Sequence, residues 1–499
     1  MLQFFHILLA NLACQFIINV QAAYFHQPTT PTFQKHTMSN SQSAFPHEIF
    51  KAYDIRGIVD KSLSEEITYD IGRAVGSEVI ASGGNSIVIG RDGRLSGPRL
   101  AEALSNGLRA SGVNVVDIGV APSPVVYYSS YSLNIPSCIA ITGSHNPPEY
   151  NGLKMVVDGT TLSAERIQDL KQRIIDGDFS SGEGSYRQQE IIEDYIAKIS
   201  DDVKPSRAMK IAIDCGNGVA GATAPQVFRD LGCEVIELFS EVDGTFPNHH
   251  PDPSQIENLQ DLMAAVKEHN CELGLAFDGD GDRLGVVTSK GEVVWPDRQM
   301  ILFARDILER NPGAEIIYDV KCTRNLPAEI EKAGGKATMW RTGHSFIKAK
   351  LKETQAPLAG EMSGHIFFKE RWFGFDDGVY AGARLIELLS RSQQSPQEIF
   401  DALPNSINTP ELRIEFEEGE HYKFMAKLQE IARFENAVIS TIDGLRVDYP
   451  DGFGLVRASN TTPILVLRFE GDSKASLAAI QADFAESIKM VDPDVELPF

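Results

Sequence analysis

Short apolar runs followed by loops rich in glycine and charged residues recur through the middle of the chain. Four of them lie at residues 86–94, 210–218, 273–283 and 315–325. Apolar runs of this length are typical of strands buried in a mostly parallel sheet, and the amphipathic stretches 98–111 and 254–269 predict helices between them. Because such α/β sheets bind ligands at the loops after their strands, function should be sought in the polar loops.

The pattern changes from about Ile407 onward. The segments ELRIEF, AVISTIDGLRVDY and PILVLRFEGD alternate apolar and polar positions, and residues 423–434 and 473–490 have helical periodicity. This order predicts a smaller α+β domain with an antiparallel sheet.

A chain of 499 residues is too long for one ordinary hydrophobic core. We therefore predict an N-terminal extension and four domains, at residues 1–44, 45–190, 191–295, 296–405 and 406–499.

The net charge of the chain limits which classes of partner it can bind. There are 46 basic and 69 acidic side chains, which give a formal net charge of −23. Such a surface repels polyanions, so nucleic acid is excluded as a partner. A small anionic ligand can bind only where basic groups or backbone amides gather locally.

The amino-terminal segment is open to three interpretations. Residues 2–20 are mostly apolar, but the segment lacks the basic start of an export signal, and Asn11, Gln15 and Asn19 interrupt any membrane span. We favour Met38 as the true start, with export or membrane anchoring as the alternatives. The six cysteines form no C-x-x-C pair, which is typical of the reduced cysteines of a cytoplasmic protein. We expect no membrane partner.

One polar loop carries a candidate nucleophile. The segment ITGSHNPPEYNGLKM places Ser144 and His145 after an apolar run, with Lys154 ten residues beyond the serine. An ordinary turn also uses Gly, Ser, Asn and Pro, so the segment alone leaves that alternative open. A serine hydrolase is disfavoured, because the G-x-S-x-G elbow is absent.

A second loop, DGDGDR, is a candidate metal site. Its acids Asp278, Asp280 and Asp282 alternate within a glycine-rich turn, which can point three carboxylates at one hard cation. The calcium loop of an EF-hand also begins this way, but here its sixth position is Arg283 and its twelfth is Ser289, where glycine and glutamate are required. Mg²⁺ is therefore the favoured ion.

A rival signal is the segment GNGVAG at residues 216–221. With Glu237 at a suitable distance for a ribose contact, it fits the fingerprint of a dinucleotide site and so predicts an NAD-dependent oxidoreductase. The alternative is a tight turn from strand to helix. We favour the turn, because nothing nearby suggests hydride chemistry.

Two further loops supply polar groups. GEMSGH contains Glu361, Ser363 and His365, donors and acceptors that suit sugar hydroxyls. RASNTTP can cradle a phosphate with side-chain donors and backbone amides. Its candidate residues are Arg457, Ser459, Asn460 and Thr461.

With these four loops in this order, residues 45–499 resemble the α-D-phosphohexomutase superfamily, and within it the bacterial phosphomannomutase/phosphoglucomutase type. The resemblance implies three related mixed α/β sheet domains and a C-terminal α+β domain with an antiparallel sheet, around a central active-site cleft. Gly143 departs from the family, which often has alanine there. Phosphoglucosamine mutase, which usually carries Gln or Asn where this chain has Met362, is the alternative within the superfamily.

The resemblance also implies roles. Ser144 would carry the phosphoryl group and, with Asp278, Asp280 and Asp282, hold Mg²⁺. Glu361 and Ser363 would bind sugar hydroxyls, and the RASNTTP loop would hold the phosphate that is not reacting. Further residues expected to line the cleft are Tyr53, Arg56, Lys154, Arg283, Lys321 and His344.

These roles imply an isomerase that moves phosphate between the 1- and 6-positions of mannose and glucose through a hexose 1,6-bisphosphate. The attacking hydroxyl needs a proton acceptor, for which Lys154 and His145 are candidates; for His344 and His365 binding is the commoner role. A sugar-phosphate binding protein without turnover is disfavoured, because it would not need an intact Ser144 together with Asp278, Asp280 and Asp282. Small hexose phosphates are the expected partners. We expect a monomer, since coiled-coil heptads are absent.

Overall fold

Four sheets follow one another along the chain. This computed structural model describes residues 45–460 and 462–499, and the elements from residue 46 onward belong to one compact unit. The predictions for residues 1–44, including the start at Met38, and for Thr461 lie outside the described residues. No helix within the described ranges is long and apolar enough to cross a membrane.

The first sheet has seven strands and the order β1-β5-β4-β2-β3-β7, with β6 paired to β5. Its strands are β1 (Ile55–Ile58), β2 (Ser86–Arg91), β3 (Asn114–Val120), β4 (Cys138–Ile141), β5 (Tyr150–Val157), β6 (Thr160–Thr161) and β7 (Tyr186–Gln188). The accompanying helices are α1 (Glu65–Ala81), α2 (Gly97–Ala110), α3 (Ser123–Ser132), α4 (Glu165–Asp176) and α5 (Ile192–Asp202).

The second and third sheets have four strands each. The second comprises β8 (Lys210–Asp214), β9 (Glu234–Leu238), β10 (Leu273–Phe277) and β11 (Leu284–Thr288), with α6 (Ala224–Asp230) and α7 (Gln260–Glu268). The third comprises β12 (Glu315–Asp319), β13 (Lys336–Trp340), β14 (Leu358–Gly360) and β15 (Ile366–Phe368), with α8 (Pro296–Arg310), α9 (Asn325–Lys332), α10 (His344–Thr354), α11 (Gly378–Ser390) and α12 (Pro396–Asp401).

The fourth sheet is antiparallel throughout, in the order β16-β21-β20-β19-β18, with β17 also paired to β21. Its strands are β16 (Ile407–Asn408), β17 (Leu412–Glu415), β18 (Val438–Ser440), β19 (Leu445–Tyr449), β20 (Gly452–Ala458) and β21 (Ile464–Gly471), and its helices are α13 (Glu420–Ile431) and α14 (Lys474–Val491). The predicted fold class, three mixed α/β sheets and a C-terminal antiparallel sheet, is confirmed.

The first three sheets repeat one topology. The order β3-β2-β4-β5 recurs as β9-β8-β10-β11 and as β13-β12-β14-β15. In each repeat three strands are parallel, and the last strand is antiparallel to its neighbour. The connection before that last strand carries Ser144 in the first repeat, the DGDGDR loop in the second and the GEMSGH loop in the third. Three of the four candidate loops thus occupy equivalent positions.

The structure differs from the prediction at two elements. The helix expected over residues 254–269 begins only at Gln260, because Asp252 accepts the Ser254 N–H at 3.0 Å and holds the preceding chain in a turn. Strand β20 was not predicted, since its glycines are poor strand formers. A Cβ on Gly454 would lie 2.3 Å from the Phe484 ring, so close packing of α14 on this strand requires glycine there.

Candidate active site

The backbone around Ser144 holds its side chain toward the second sheet. Ser144 follows β4, has a φ of +48° and is 2% exposed. Its N–H donates to the Thr142 hydroxyl at 2.7 Å, and its own hydroxyl donates to Asp278 Oδ2 at 3.1 Å. A left-handed conformation is uncommon for a residue with a side chain and persists only where its surroundings impose it. The candidate nucleophile is therefore held against the candidate metal loop.

The DGDGDR loop folds back on its first acid. Asp278 Oδ1 accepts the N–H groups of Asp282 and Arg283 at 3.1 and 3.2 Å. Asp278, Asp280 and Asp282 are all 0% exposed. A Cβ on Gly279 would lie 2.4 Å from the Ser144 carbonyl oxygen, so the approach of the two loops requires glycine.

The three acids fit a divalent cation. Their candidate ligand atoms lie within 4.8 Å of one another. Lys154 Nζ donates to Asp280 at 2.6 Å and to Asp282 at 2.5 Å, but Oδ1 of each of these acids accepts no hydrogen bond from the described part of the chain. Burial, together with the charges of Asp282 and Asp280, raises the pKa of Asp278 well above its usual value. Three acids face two cations, Lys154 and Arg283, so the cluster is short of positive charge. An all-oxygen donor set suits Mg²⁺.

His145 and Lys154 differ as proton acceptors. His145 Nδ1 lies 3.2 Å from Ser144 Oγ, and burial, followed by the charges of Arg283 and Arg56, lowers its pKa well below the usual value. The ring is therefore neutral and able to accept a proton. Burial opposes the charge of Lys154, but its carboxylate partners raise its pKa overall, so it remains an ammonium ion.

Two buried histidines lie next to the metal loop. His365 Nε2 accepts a hydrogen bond from Arg283 Nε at 3.0 Å, and its Nδ1 lies 3.0 Å from Asp376 Oδ2. The His344 ring stacks on that of His365 with centroids 5.7 Å apart. Neither nitrogen of His344 has a hydrogen-bond partner among the described residues, and burial lowers the pKa of this ring well below its usual value. His344 thus offers a neutral donor and acceptor to a ligand.

The GEMSGH loop divides into two parts. Glu361 is buried and accepts the Gly343 N–H at 2.5 Å, and burial raises its pKa to about 7. Ser363 instead lines a small cleft together with Trp295. Met362 belongs to the large apolar core. Only Glu361 and His365 of this loop therefore join the buried polar site.

Two cations from the third and fourth sheets form a second positive region. Arg457, at the end of β20, donates from Nε to Asp443 at 2.9 Å, and Lys321 donates to Glu411 at 2.6 Å. Both cations are buried. Arg457 is close enough for its charge to oppose that of Lys321. Each cation now has a carboxylate partner that a phosphate can replace.

Ser459 and Asn460 of the RASNTTP loop lie toward the segment that begins the first sheet. Ser459 Oγ is 3.0 Å from the Thr462 hydroxyl, and its carbonyl accepts the Tyr422 hydroxyl at 3.1 Å. Ser459 and Asn460 line a cavity of about 240 Å³ whose wall also includes Lys51.

Tyr53 and Arg56 come from the segment that begins the first sheet. The Tyr53 ring meets the His344 ring edge-on, with centroids 5.2 Å apart. Arg56 donates to the Gly143 carbonyl at 2.8 Å and to Asp54 at 2.5 Å, so its guanidinium braces the serine loop.

Several residues at the site were not predicted from the sequence. Asp376 accepts from Lys348 at 2.9 Å besides facing His365. Ser123 donates its hydroxyl to Asp280 Oδ2 at 2.5 Å and its N–H to the Asp280 carbonyl at 3.0 Å. Neither lies in a recognisable motif, although Asp376 in the pair before α11 has the composition of a helix cap. Arg94, behind the serine loop, was also missed.

The GNGVAG segment forms part of this same site. The Val219 N–H donates to the Gly279 carbonyl at 3.1 Å, and a Cβ on Gly218 would lie 2.9 Å from Gly279 Cα. Glu237 forms an ion pair with Arg229. The glycine thus allows close packing on the metal loop, which agrees with the interpretation as a turn.

Comparison with known proteins agrees with this geometry. Models of domains I, II and III (alpha/beta/alpha) and of the C-terminal domain of phosphoglucomutase/phosphomannomutase match residues 47–181, 193–291, 295–407 and 411–487. The chain is 55% identical to a phosphomannomutase/phosphoglucomutase of Pseudomonas aeruginosa, over 91% of this chain and 98% of the relative. It is 54% identical to a phosphoglucomutase of Neisseria gonorrhoeae, over 90% and 98%. A crystal structure of a phosphoglucomutase/phosphomannomutase family protein from Burkholderia thailandensis has 54% identity and a TM-score of 0.86, covering 91% of this chain and 99% of that one. The chain belongs to the phosphoglucomutase/phosphomannomutase family.

Proposed function

We propose that the chain interconverts the 1- and 6-phosphates of mannose and of glucose through a phosphorylated Ser144 and a hexose 1,6-bisphosphate. The observation that carries the proposal is the buried Ser144 hydroxyl, 3.1 Å from the first acid of a three-aspartate loop. The P. aeruginosa relative is named for both the phosphomannomutase and the phosphoglucomutase activity, and the N. gonorrhoeae relative for phosphoglucomutase. These names support mannose and glucose phosphates as substrates.

Asp278, Asp280 and Asp282 would hold Mg²⁺, with phosphorylated Ser144 as a further ligand. When bound, the ion neutralises charge on the transferred phosphoryl group and makes the serine oxygen a better leaving group. Lys154 adds a fixed positive charge on the same side, because it remains protonated between Asp280 and Asp282. Arg283, with its guanidinium 3.7 Å from Asp278, adds another.

Proton transfer is assigned to the neutral histidines. His145 can take the proton of Ser144 Oγ when the serine is phosphorylated, because its Nδ1 lies 3.2 Å away. His344, with no hydrogen-bond partner among the described residues, is suited to hold the attacking sugar hydroxyl. His365 is less suited, since its Nε2 already accepts from Arg283.

Substrate binding uses the third and fourth sheets. Glu361 accepts sugar hydroxyls, with Tyr53 at the edge of the site, whereas Ser363 lines the separate cleft beside Trp295. Lys321, Arg457, Ser459, Asn460 and Thr461 hold the phosphate that is not reacting. Between the two phosphoryl transfers the bisphosphate must reverse its orientation in the site. This region must therefore bind either of its phosphates.

We infer the four-domain division at residues 45–190, 191–295, 296–405 and 406–499, and a monomer acting on small hexose phosphates in the cytoplasm. The breaks between the matched family models support the division. Phosphoglucosamine mutase is the alternative activity. It is disfavoured because Met362 is apolar and packs in the core, where it offers no group to a sugar amine.

A coupled assay on the full chain with Mg²⁺ and a trace of glucose 1,6-bisphosphate tests the proposal. Mannose, glucose and glucosamine 1-phosphates are compared, with Ser144→Ala as the variant. We expect turnover of the first two sugars and a loss of at least about 10⁴-fold in the variant. Turnover of glucosamine 1-phosphate alone would show that the proposed sugar specificity is wrong. An active Ser144→Ala variant would overturn the proposal that Ser144 carries the phosphoryl group.

A further inference from the structure

Arg94 is buried behind the serine loop and contacts none of the groups assigned to chemistry above except through backbone. It lies in the loop after β2 and is 1% exposed. A fully buried arginine is rare unless its donors are satisfied, so its partners indicate why it is there.

The guanidinium binds four carbonyl oxygens of one loop. Nη1 donates to Pro147 at 2.5 Å and to Tyr150 at 3.0 Å. Nη2 donates to Ser144 at 2.8 Å and to Asn146 at 2.6 Å. The planar guanidinium fixes the directions of these donors, so one side chain determines the path of the whole turn after the nucleophile.

Asp92 completes the arrangement from the other side. Its Oδ2 accepts from Arg94 Nε at 3.1 Å, from the Thr142 hydroxyl at 2.7 Å and from the Gly143 N–H at 3.2 Å. The Thr142 hydroxyl in turn accepts the Ser144 N–H at 2.7 Å. The peptide groups on both sides of Ser144 are therefore fixed by this one buried ion pair.

A segment that follows β9 covers the arginine. The Phe246 ring lies 5.1 Å from Arg94 Cζ, and a Cβ on Gly244 would lie 2.5 Å from Arg94 Cα. Further along, the Pro251 carbonyl accepts the Gly279 N–H of the metal loop at 3.2 Å. Arg94 thus contacts the serine loop directly and the metal loop through one intervening segment.

We propose that Arg94 is a positioning residue that holds Ser144 in its left-handed conformation, with the hydroxyl directed at Asp278, and thereby makes the serine competent for phosphorylation. The inference rests on the proposed function, because it concerns the same serine. Without the guanidinium the four carbonyls lose their common donor. The turn then relaxes toward the ordinary backbone conformation and moves Oγ away from the three acids. Misplacement of a reacting atom by about 1 Å lowers rates by about 100-fold.

The test compares Arg94→Met and Arg94→Lys with Arg384→Met in the full chain. Arg384 is a matched control, since it is 2% exposed and donates to Glu370 and Tyr380, away from both loops. Three quantities are measured: the rate at which glucose 1,6-bisphosphate phosphorylates the protein, by intact mass; kcat and KM for mannose 1-phosphate; and the melting temperature.

We expect Arg94→Met to slow both phosphorylation and kcat by about 100-fold or more, with KM changed by less than about 3-fold. Arg94→Lys should recover part of the rate, because an ammonium keeps the charge but cannot reach four carbonyls. Arg384→Met should lower the melting temperature and leave kcat per folded molecule unchanged.

Phosphorylation of Arg94→Met at the wild-type rate, or a loss no larger than that of Arg384→Met, would overturn the inference. If Arg94→Met fails to fold, Arg94→Lys decides: slower phosphorylation at a normal melting temperature supports positioning, and an unchanged rate overturns it. Wild-type protein that never gains a phosphoryl group, or an active Ser144→Ala, would instead show that the proposed function is wrong.

Discussion

The proposed site has two ends, one at Ser144 and the metal loop and one at Arg457 of the fourth sheet. The two ends are held by different parts of the protein core. The first three sheets share one continuous apolar core, whereas the fourth has a core of its own. Contacts between the third and fourth sheets are largely polar: Arg446 donates to the carbonyls of Val320 and Cys322 at 2.6 and 2.8 Å, and Arg468 to Asp297 at 2.9 Å. Phe453 and Leu455 form a small apolar contact with Val320.

This difference matches what each end must do. Groups that transfer a phosphoryl group need fixed distances, which the shared core and the bonded loops maintain. The cations that hold the other phosphate must also let it go, and a polar interface separates with little loss of apolar burial. We therefore expect substitutions near Ser144 to lower kcat, and substitutions on the fourth sheet to act mainly on KM.

The largest effect is expected from Asp278→Asn, at the rigid end. It removes one candidate Mg²⁺ ligand and the partner of the Ser144 hydroxyl, so kcat should fall by at least about 10³-fold. The fold should not suffer. Because burial and its acidic neighbours raise the pKa of Asp278, its ionised form destabilises the native state, and a neutral side chain relieves that repulsion.

Melting temperatures test whether Asp278→Asn is more stable than the wild type although it is less active. In EDTA, Asp278→Asn should melt at about 2 °C or more above the wild type. Saturating Mg²⁺ should raise the wild-type melting temperature more than that of the variant, because binding stabilises the state that binds. A variant that melts lower than wild type in EDTA would contradict the charge balance inferred for the loop.

Local motifs account for the part of the site that could be predicted. Asp278, Asp280 and Asp282 lie in one turn, and Ser144, His145 and Lys154 lie within one hairpin, so neither set needs knowledge of the tertiary fold. The apolar runs before these loops are buried strands, as their composition indicates.

Long-range contacts account for what was missed. Arg94 binds carbonyls about 50 residues away in the chain, and Asp376 and Asp282 meet at the same nitrogen of His365 although Asp282 lies far from the other two in the sequence. No periodicity marks such pairs. The family resemblance implied three related sheets, but their common strand order was not predicted, because strand order depends on pairing across long connections rather than on local pattern.

Arg457→Lys tests the other end. Arginine can bind two phosphate oxygens with a fixed fork, which a lysine cannot, so KM should rise by about 10- to 100-fold while kcat changes less. Steady-state kinetics with glucose 1-phosphate measure both constants. Arg413→Lys is the control, because Arg413 is exposed on β17 of the same sheet. A fall confined to kcat would remove the proposed division between the two ends.

A smaller effect is expected in the pH profile, at Glu361 between the ends. Burial raises the pKa of Glu361 to about 7, so the carboxyl is protonated below that pH and ionised above it. Only the ionised form accepts hydrogen bonds from sugar hydroxyls through both oxygens. We expect kcat/KM to rise about 5-fold between pH 6 and 7 in the wild type, and this rise to be absent in Glu361→Gln.

The substrate phosphate provides an internal reference for this profile. Its second pKa, about 6, lies in the same range and should remain visible in both proteins. A limb near pH 7 that persists unchanged in Glu361→Gln belongs to another group, and the role assigned to Glu361 would then be wrong.

The smallest effect is expected where the two parts of the core meet. Arg446→Met removes the donor to Val320 and Cys322, while its apolar chain can still pack on Phe453, whose ring centroid lies 3.9 Å from the guanidinium carbon. Two buried carbonyls then lack a partner at the interface. We expect the fourth sheet to melt several degrees earlier as a separate calorimetric transition, and KM to rise by about 3-fold, since Arg457 loses its fixed position.

The control is Arg413→Met, at an exposed position on the same sheet, which should leave a single transition. A single transition shifted as a whole in Arg446→Met would mean that the fourth sheet unfolds together with the shared core, and that its separate core does not make it an independent unit.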